Sequence, residues 1–121
     1  MKIIHPLYLP ILLWLTLVVA QAHAFLDHAD PRVGSTVPTA PSVVTIWFTE
    51  ELEGAFSKIQ VFDAKGHEVD KKDSHVDAAR PAVMTVSLPA LPPGDYKVIW
   101  HAVAVDTHHT SGTFPFTVQP R

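Results

Sequence analysis

From Val43 onward the chain is a succession of short β-branched and aromatic runs, each cut off by Pro, Gly or Asp, and no long stretch repeats with helical period. Val43–Phe48 reads as a strand, and so does Lys58–Phe62, which alternates and ends in the turn-like Asp63-Ala64-Lys65-Gly66. Val83–Leu88 alternates again, and Pro92-Pro93-Gly94-Asp95 is a turn signal. Tyr96–Val105 is the longest strand candidate, and Gly112–Val118 closes the set, with Pro115 marking an edge or a bulge. Six or seven strands in one small domain, with turns at short intervals, predict an all-β, two-sheet antiparallel sandwich. Trp47, Phe48, Phe62, Val98 and Trp100 are the expected core, Glu50–Glu53 a short helical turn or loop, and Asp70–Arg80 a polar, mobile loop.

The first residues do not belong to that pattern. The apolar run Leu7–Ala20, about fourteen residues long, has the length of a signal-peptide core and is short for a membrane span. Lys2 precedes it, and Ala20-Gln21-Ala22 supplies the small-x-small pattern read by signal peptidase. Residues 1–22 are therefore expected to be a cleaved signal peptide and 23–121 the mature domain, exported to the periplasm. A second such pattern, Ala22-His23-Ala24, would instead leave Phe25 first.

Of the 121 residues, Lys2 is the only charge in the leader, which leaves the mature chain 8 basic and 12 acidic side chains. A net charge of −4 without a basic patch argues against a nucleic-acid partner. Cysteine is absent, so the domain depends on its core and offers a metal no thiolate. Histidine is abundant instead: His23, His28, His67, His75, His101, His108 and His109.

Two features at opposite ends of the mature chain carry chemistry. A histidine in first position is a special ligand, because its α-amine and its imidazole Nδ1 close one chelate ring on a single ion. That amine has an ordinary pKa of about 7.7–8.0, so a Lewis-acidic metal displaces its proton near neutral pH. The other feature is Asp106-Thr107-His108, after the long strand. In extended backbone residues i and i+2 share a face, roughly 6.6 Å apart. Either feature alone is weak: some residue must come first after cleavage, and loops use Asp and His for solubility and turns. Together they make a thiolate-free set of one amine, two imidazoles and one carboxylate, which suits Cu(II) above Zn(II). Zn(II) remains a competitor in vitro, and Cu(I) is disfavoured.

The residues carry a resemblance over essentially the whole mature chain. His23-Ala24-Phe25-Leu26 followed by Ala29-Asp30-Pro31, then Gly34-Ser35 and the stretch to Pro41, and Phe48-Thr49-Glu50, are similar to segments of the CopC copper-binding family. The block from Gly94 through Tyr96, Val98, Trp100 and Asp106 to His108, with Gly112 after it, is the most specific part of that resemblance. The resemblance implies an immunoglobulin-like Greek-key β-sandwich of about seven strands holding one Cu(II). His23 would give amine and imidazole, Asp106 a carboxylate and His108 the second imidazole. Glu50 would be a carboxylate near the terminal amine, with a solvated turn residue as the plainer reading. Some members carry a methionine-rich Cu(I) site; here the mature chain has only Met84, in a strand that reads as core, so that site is not expected.

His28 and His109 are further candidate ligands, His101 is read as non-ligating, and His67 and His75 as loop residues. The implied function is a monomeric copper carrier or sequestering protein in copper resistance and homeostasis, not an enzyme, with a CopD-like inner-membrane protein as its partner. The rival is a histidine-brace copper monooxygenase. Short length and a carboxylate in an equatorial position weigh against it.

Overall fold

The computed structural model describes residues 24–121; the expected signal peptide, 1–22, and His23 lie outside the described residues. Eight strands follow in order: β1 Leu26–Asp30, β2 Thr36–Val37, β3 Val43–Phe48, β4 Lys58–Asp63, β5 His75–Asp77, β6 Arg80–Ser87, β7 Gly94–Val103 and β8 His109–Val118. A single 3-10 turn, Gly54–Phe56, interrupts them, and the described residues contain no α-helix. The strands form two four-stranded sheets, ordered β1-β3-β6-β5 and β2-β8-β7-β4. All pairings are antiparallel except β2 with β8. The chain crosses from one sheet to the other repeatedly, giving the two-sheet sandwich that the strand pattern predicts, with the immunoglobulin-like form that the resemblance implies.

Successive side chains of a strand point to opposite faces, and this sets the core. β3 buries Val44, Ile46 and Phe48; β4 buries Ile59 and Val61; β7 buries Tyr96, Val98, Trp100 and Ala102; β8 buries Phe114, Phe116 and Val118. Each fully buried Val, Ile or Phe contributes roughly 1.5–3 kcal/mol before entropy is counted. Trp47 and Phe62 do not join the core as expected. Each adjoins an inward residue, and the period of two turns it to the outer face, where it is only half-buried. Trp47 stacks there on His28, with ring centroids 4.3 Å apart and planes 9° from parallel.

Three strands went unrecognised. β1 is rich in Asp and His, β2 has two residues, and β5 has three. β5 lies inside the segment read as a polar, mobile loop, and that segment is tied to the sandwich by its carboxylates. Asp70 is buried and accepts from Val61 N (2.8 Å) and Lys72 N (3.1 Å). Asp73 accepts from Ser87 N (2.8 Å), and Asp77 accepts from Ala79 N (2.8 Å). The longest strand ends at Val103 rather than Val105, and the helical turn falls at 54–56, after the glutamates instead of on them.

β8 is not an edge strand, since β2 flanks it, and Pro115 lies just before the two residues that β2 pairs. β2 covers β8 only at Thr117 and Val118, and the carbonyl of Pro115 accepts from Gly34 N at 2.7 Å. N–H and C=O of one residue point to the same side of an antiparallel strand. The missing N–H of Pro115 therefore costs no bond to β7.

At the same end of β7 the Tyr96 hydroxyl donates to Pro92 O at 2.5 Å. Burial, and secondarily the Asp63 carboxylate, push its pKa up, which keeps it a neutral donor.

Trp100 fills the space between the sheets edge-on to Phe48, with ring centroids 5.2 Å apart. Its cross-strand partner is Gly112. A Cβ built on Gly112 would lie 2.6 Å from the Trp100 ring, so only glycine lets the indole lie flat across β8. Gly112→Ala should lose about 1–3 kcal/mol in urea unfolding through this overlap; an unchanged midpoint would refute the packing account.

Acid stability should carry a local signature as well. The Ala79 N–H, then the Arg80 side chain, hold the pKa of Asp77 below the usual carboxylate value. A carboxyl with a depressed folded pKa stabilises the fold above its unfolded value, and that contribution is lost as pH falls through the folded one. Asp77→Asn should therefore flatten the fall in stability below about pH 4, measured as unfolding midpoint against pH.

Candidate metal centre

The β7–β8 ladder runs in unbroken register from Gly94↔Val118 to Val103↔His109. Residues 104–108 close its tip. Thr107 N donates to Ala104 O (2.8 Å), and Ala104 N donates to His108 O (3.0 Å). Thr107 has φ +75°, a left-handed conformation that is costly for a β-branched residue and marks a turn held in place by its surroundings.

Asp106 and His108 thus do not occupy extended backbone, as their spacing suggested. The turn at Thr107 folds them onto each other. Asp106 Oδ1 accepts from His108 N at 3.2 Å, and Asp106 Oδ2 lies 3.0 Å from His108 Nδ1. An ionised carboxylate only accepts, so Nδ1 carries the proton and the lone pair of the neutral ring sits on Nε2. Carboxylates commonly orient metal-binding imidazoles in this way. The two side chains remain 34% and 50% exposed, accessible to an ion from solvent.

The base of this hairpin is braced by 51–57. Glu53 N donates to Val103 O (2.8 Å), Val105 N donates to Glu51 O (3.2 Å), and Leu52 bridges Ala104. Ser57 is buried, and its hydroxyl accepts from Val103 N at 3.0 Å.

The start of the described chain arrives at the same end of the sandwich. Ala24 is wholly buried, and its carbonyl accepts from the Thr110 hydroxyl across 86 positions of sequence. Phe25 N donates to Thr49 Oγ1 (3.0 Å), and Thr49 N donates back to Phe25 O (2.9 Å). Ala24–Phe25 is therefore held by one threonine in β8 and one directly after β3. Thr110 stands two residues beyond His108, and Thr49 directly precedes Glu50.

Of the residues singled out in the sequence, the structure brings Asp106 and His108 into contact and puts Glu50, exposed, beside the entering chain. His23 lies outside the described residues. Among the described residues no three His, Cys, Asp or Glu side chains gather as a metal cluster, so this part of the chain offers a pair of donors.

The other histidines are spread out. His28 lies against Trp47, with Nδ1 2.6 Å from Asp27 Oδ2. His101 is exposed on β7, opposite Lys58 and Ser111. His109 is exposed at the start of β8, lining a shallow depression of about 320 Å³ with Phe56 and Thr107. His67 lies 3.7 Å from Asp63, and His75, in β5, lies 3.5 Å from Thr85. Met84 is fully buried in the core, as its strand suggested. Sequence reasoning missed Thr49, Ser57 and Thr110. Thr49 lies inside the family-like segment Phe48-Thr49-Glu50, whereas a hydroxyl that bonds backbone far away in sequence leaves no spacing to detect.

The model of the CopC domain matches residues 26–119. The chain is 35% identical over 98 residues to the copper transport protein CutJ of Bacillus subtilis, an alignment that takes in 80% of this chain and 18% of that much longer protein. Two solved structures share the fold. CopC from Methylosinus trichosporium OB3b superposes with a TM-score of 0.73 at 31% identity, covering 82% of this chain and 96% of that one. PcoC, a methionine-rich copper resistance protein from Escherichia coli, gives 0.71 at 33% identity, covering 81% and 100%.

The tautomer assignment is directly measurable. Nitrogen-15 NMR of the metal-free protein, with the ring neutral, should report His108 protonated on Nδ1. A proton on Nε2 would contradict the Asp106 contact.

Proposed function

The chain belongs to the CopC family, and from that membership we propose that it is a periplasmic copper-binding protein of copper resistance and homeostasis, a carrier or sequestering protein and not an enzyme. In this reading residues 1–22 are removed on export and the domain begins at His23. One Cu(II) is the cargo. His23 binds it through its α-amine and imidazole, Asp106 through a carboxylate oxygen and His108 through its imidazole. Glu50 stands near the terminal amine and favours its orientation. The protein acts as a monomer and passes copper to a CopD-like inner-membrane protein.

One observation carries the reading: the pinning of Ala24–Phe25 to Thr110 and Thr49, at the end of the sandwich where Asp106 and His108 meet. Position 23 is one peptide unit, about 3.8 Å between Cα atoms, from a residue so fixed. The donor chemistry agrees. Two imidazoles, an amine and a carboxylate without sulfur favour Cu(II) over softer or harder ions. Asp106 and His108 are both open to solvent, and the Asp106 carboxylate turns from the His108 ring toward the ion when it binds. Because the amine and the imidazoles bind only when deprotonated, affinity falls on acidification. The brace-oxygenase alternative gains no supporting observation.

Two measurements test the proposal. Intact mass spectrometry of the exported protein should give a chain starting at His23 that gains one copper; a chain starting at Phe25 would sink it. Adding a single residue before His23 should weaken Cu(II) by orders of magnitude, because the chelating amine becomes an amide, and competition titration reads the change. Equal affinity would overturn the His23 assignment.

A further inference from the structure

Ala24 is the most constrained residue at the chain's entry. It is wholly buried, yet it belongs to no strand. A buried carbonyl outside a ladder needs a partner, and that partner is the Thr110 hydroxyl. Thr110 pairs with Ala102 across the β7–β8 ladder, one pair below Val103↔His109, where the ladder ends and the Asp106–His108 turn begins. Through this single hydrogen bond the entering chain is tied to the same rigid hairpin that carries His108. Thr49, directly after β3, makes the companion tie through both backbone groups of Phe25.

We propose that Thr110 is a positioning residue for the metal site: by holding Ala24 O to the β7–β8 hairpin, it sets the placement of the preceding residue relative to His108. The inference rests on the reading of His23 as a ligand. Its physical basis is preorganisation. A chain start that is already tethered gives up little freedom when its amine and imidazole close on an ion, whereas a loose one must be ordered at the moment of binding. Thr110 touches no ion itself; its contribution passes through the Ala24 carbonyl. It is supplied by the strand that begins beside His108, so its effect belongs to the geometry between ligands. Thr49 fixes the chain to β3 and leaves its distance to the hairpin unset.

Thr110→Val keeps the β-branched shape and removes the donor, and Thr110→Ser keeps the donor and removes the methyl. In the exported protein starting at His23, Thr110→Val should weaken Cu(II) about threefold to tenfold, the scale of one neutral hydrogen bond. It should also shift or broaden the Cu(II) EPR hyperfine pattern, a signature that lost stability alone would not produce. Thr110→Ser should restore both.

The comparison is repeated on the form carrying one extra N-terminal residue, in which the amine no longer chelates. There the valine substitution should change affinity by less than twofold. Wild-type affinity and spectrum in Thr110→Val would overturn the inference and leave the copper reading intact. An equal loss in the native and extended forms would overturn it too, since Thr110 would then act through the His108 hairpin alone. Failure of the wild-type protein itself to bind Cu(II) would remove the copper reading and this inference with it.

Discussion

The ten-pair ladder between β7 and β8 is the constraint on which the rest of the molecule depends. Its inner face presents Tyr96, Val98, Trp100 and Ala102 from one strand and Phe114, Phe116 and Val118 from the other, so much of the core hangs on one register. A slip by one residue would turn the inward set of one of the two strands outward. The Trp100–Gly112 pair guards against such a slip, because the indole has room opposite a glycine and would collide with any side chain. The same ladder ends in the turn that brings Asp106 against His108. Core packing and donor geometry are thus set by one element.

Parts of the chain that are remote in sequence meet at this end of the sandwich, and hydroxyl groups do the joining. Thr49 and Thr110 satisfy backbone groups of Ala24 and Phe25 that lie outside regular structure or at its margin. Ser57 does the same for Val103 at the foot of the hairpin. Each bond is modest in net energy. Left unmade, a buried backbone group would cost about 1–3 kcal/mol, so these residues act by removing alternatives to the observed arrangement.

Strand existence was legible wherever β-branched and aromatic residues ran for five or more positions, as in β3, β4, β6 and β7. It was illegible where strands were short or polar. β1 carries Asp27, His28 and Asp30, residues that composition assigns to loops, and its pairing with β3 makes it a strand. Adjacent aromatics misled the reading of the core: Trp47 and Phe48 cannot both face inward in a pleated strand, and hydrophobicity alone does not say which does. At the site, Asp106 and His108 were identifiable by type and by the family block. Their direct contact was not, because it requires a positive φ at Thr107, which no propensity favours. The expectation for His23 concerns a residue outside the described range.

The outer rim of β8 has a consequence for life at high concentration. An uncovered strand margin is a template onto which another copy can zip. Here the carbonyl that would receive the newcomer is occupied by Gly34, and proline has no hydrogen to offer in return. A would-be fibril meets a gap where its next rung should be, while the opposite margin of the same strand stays committed to β7.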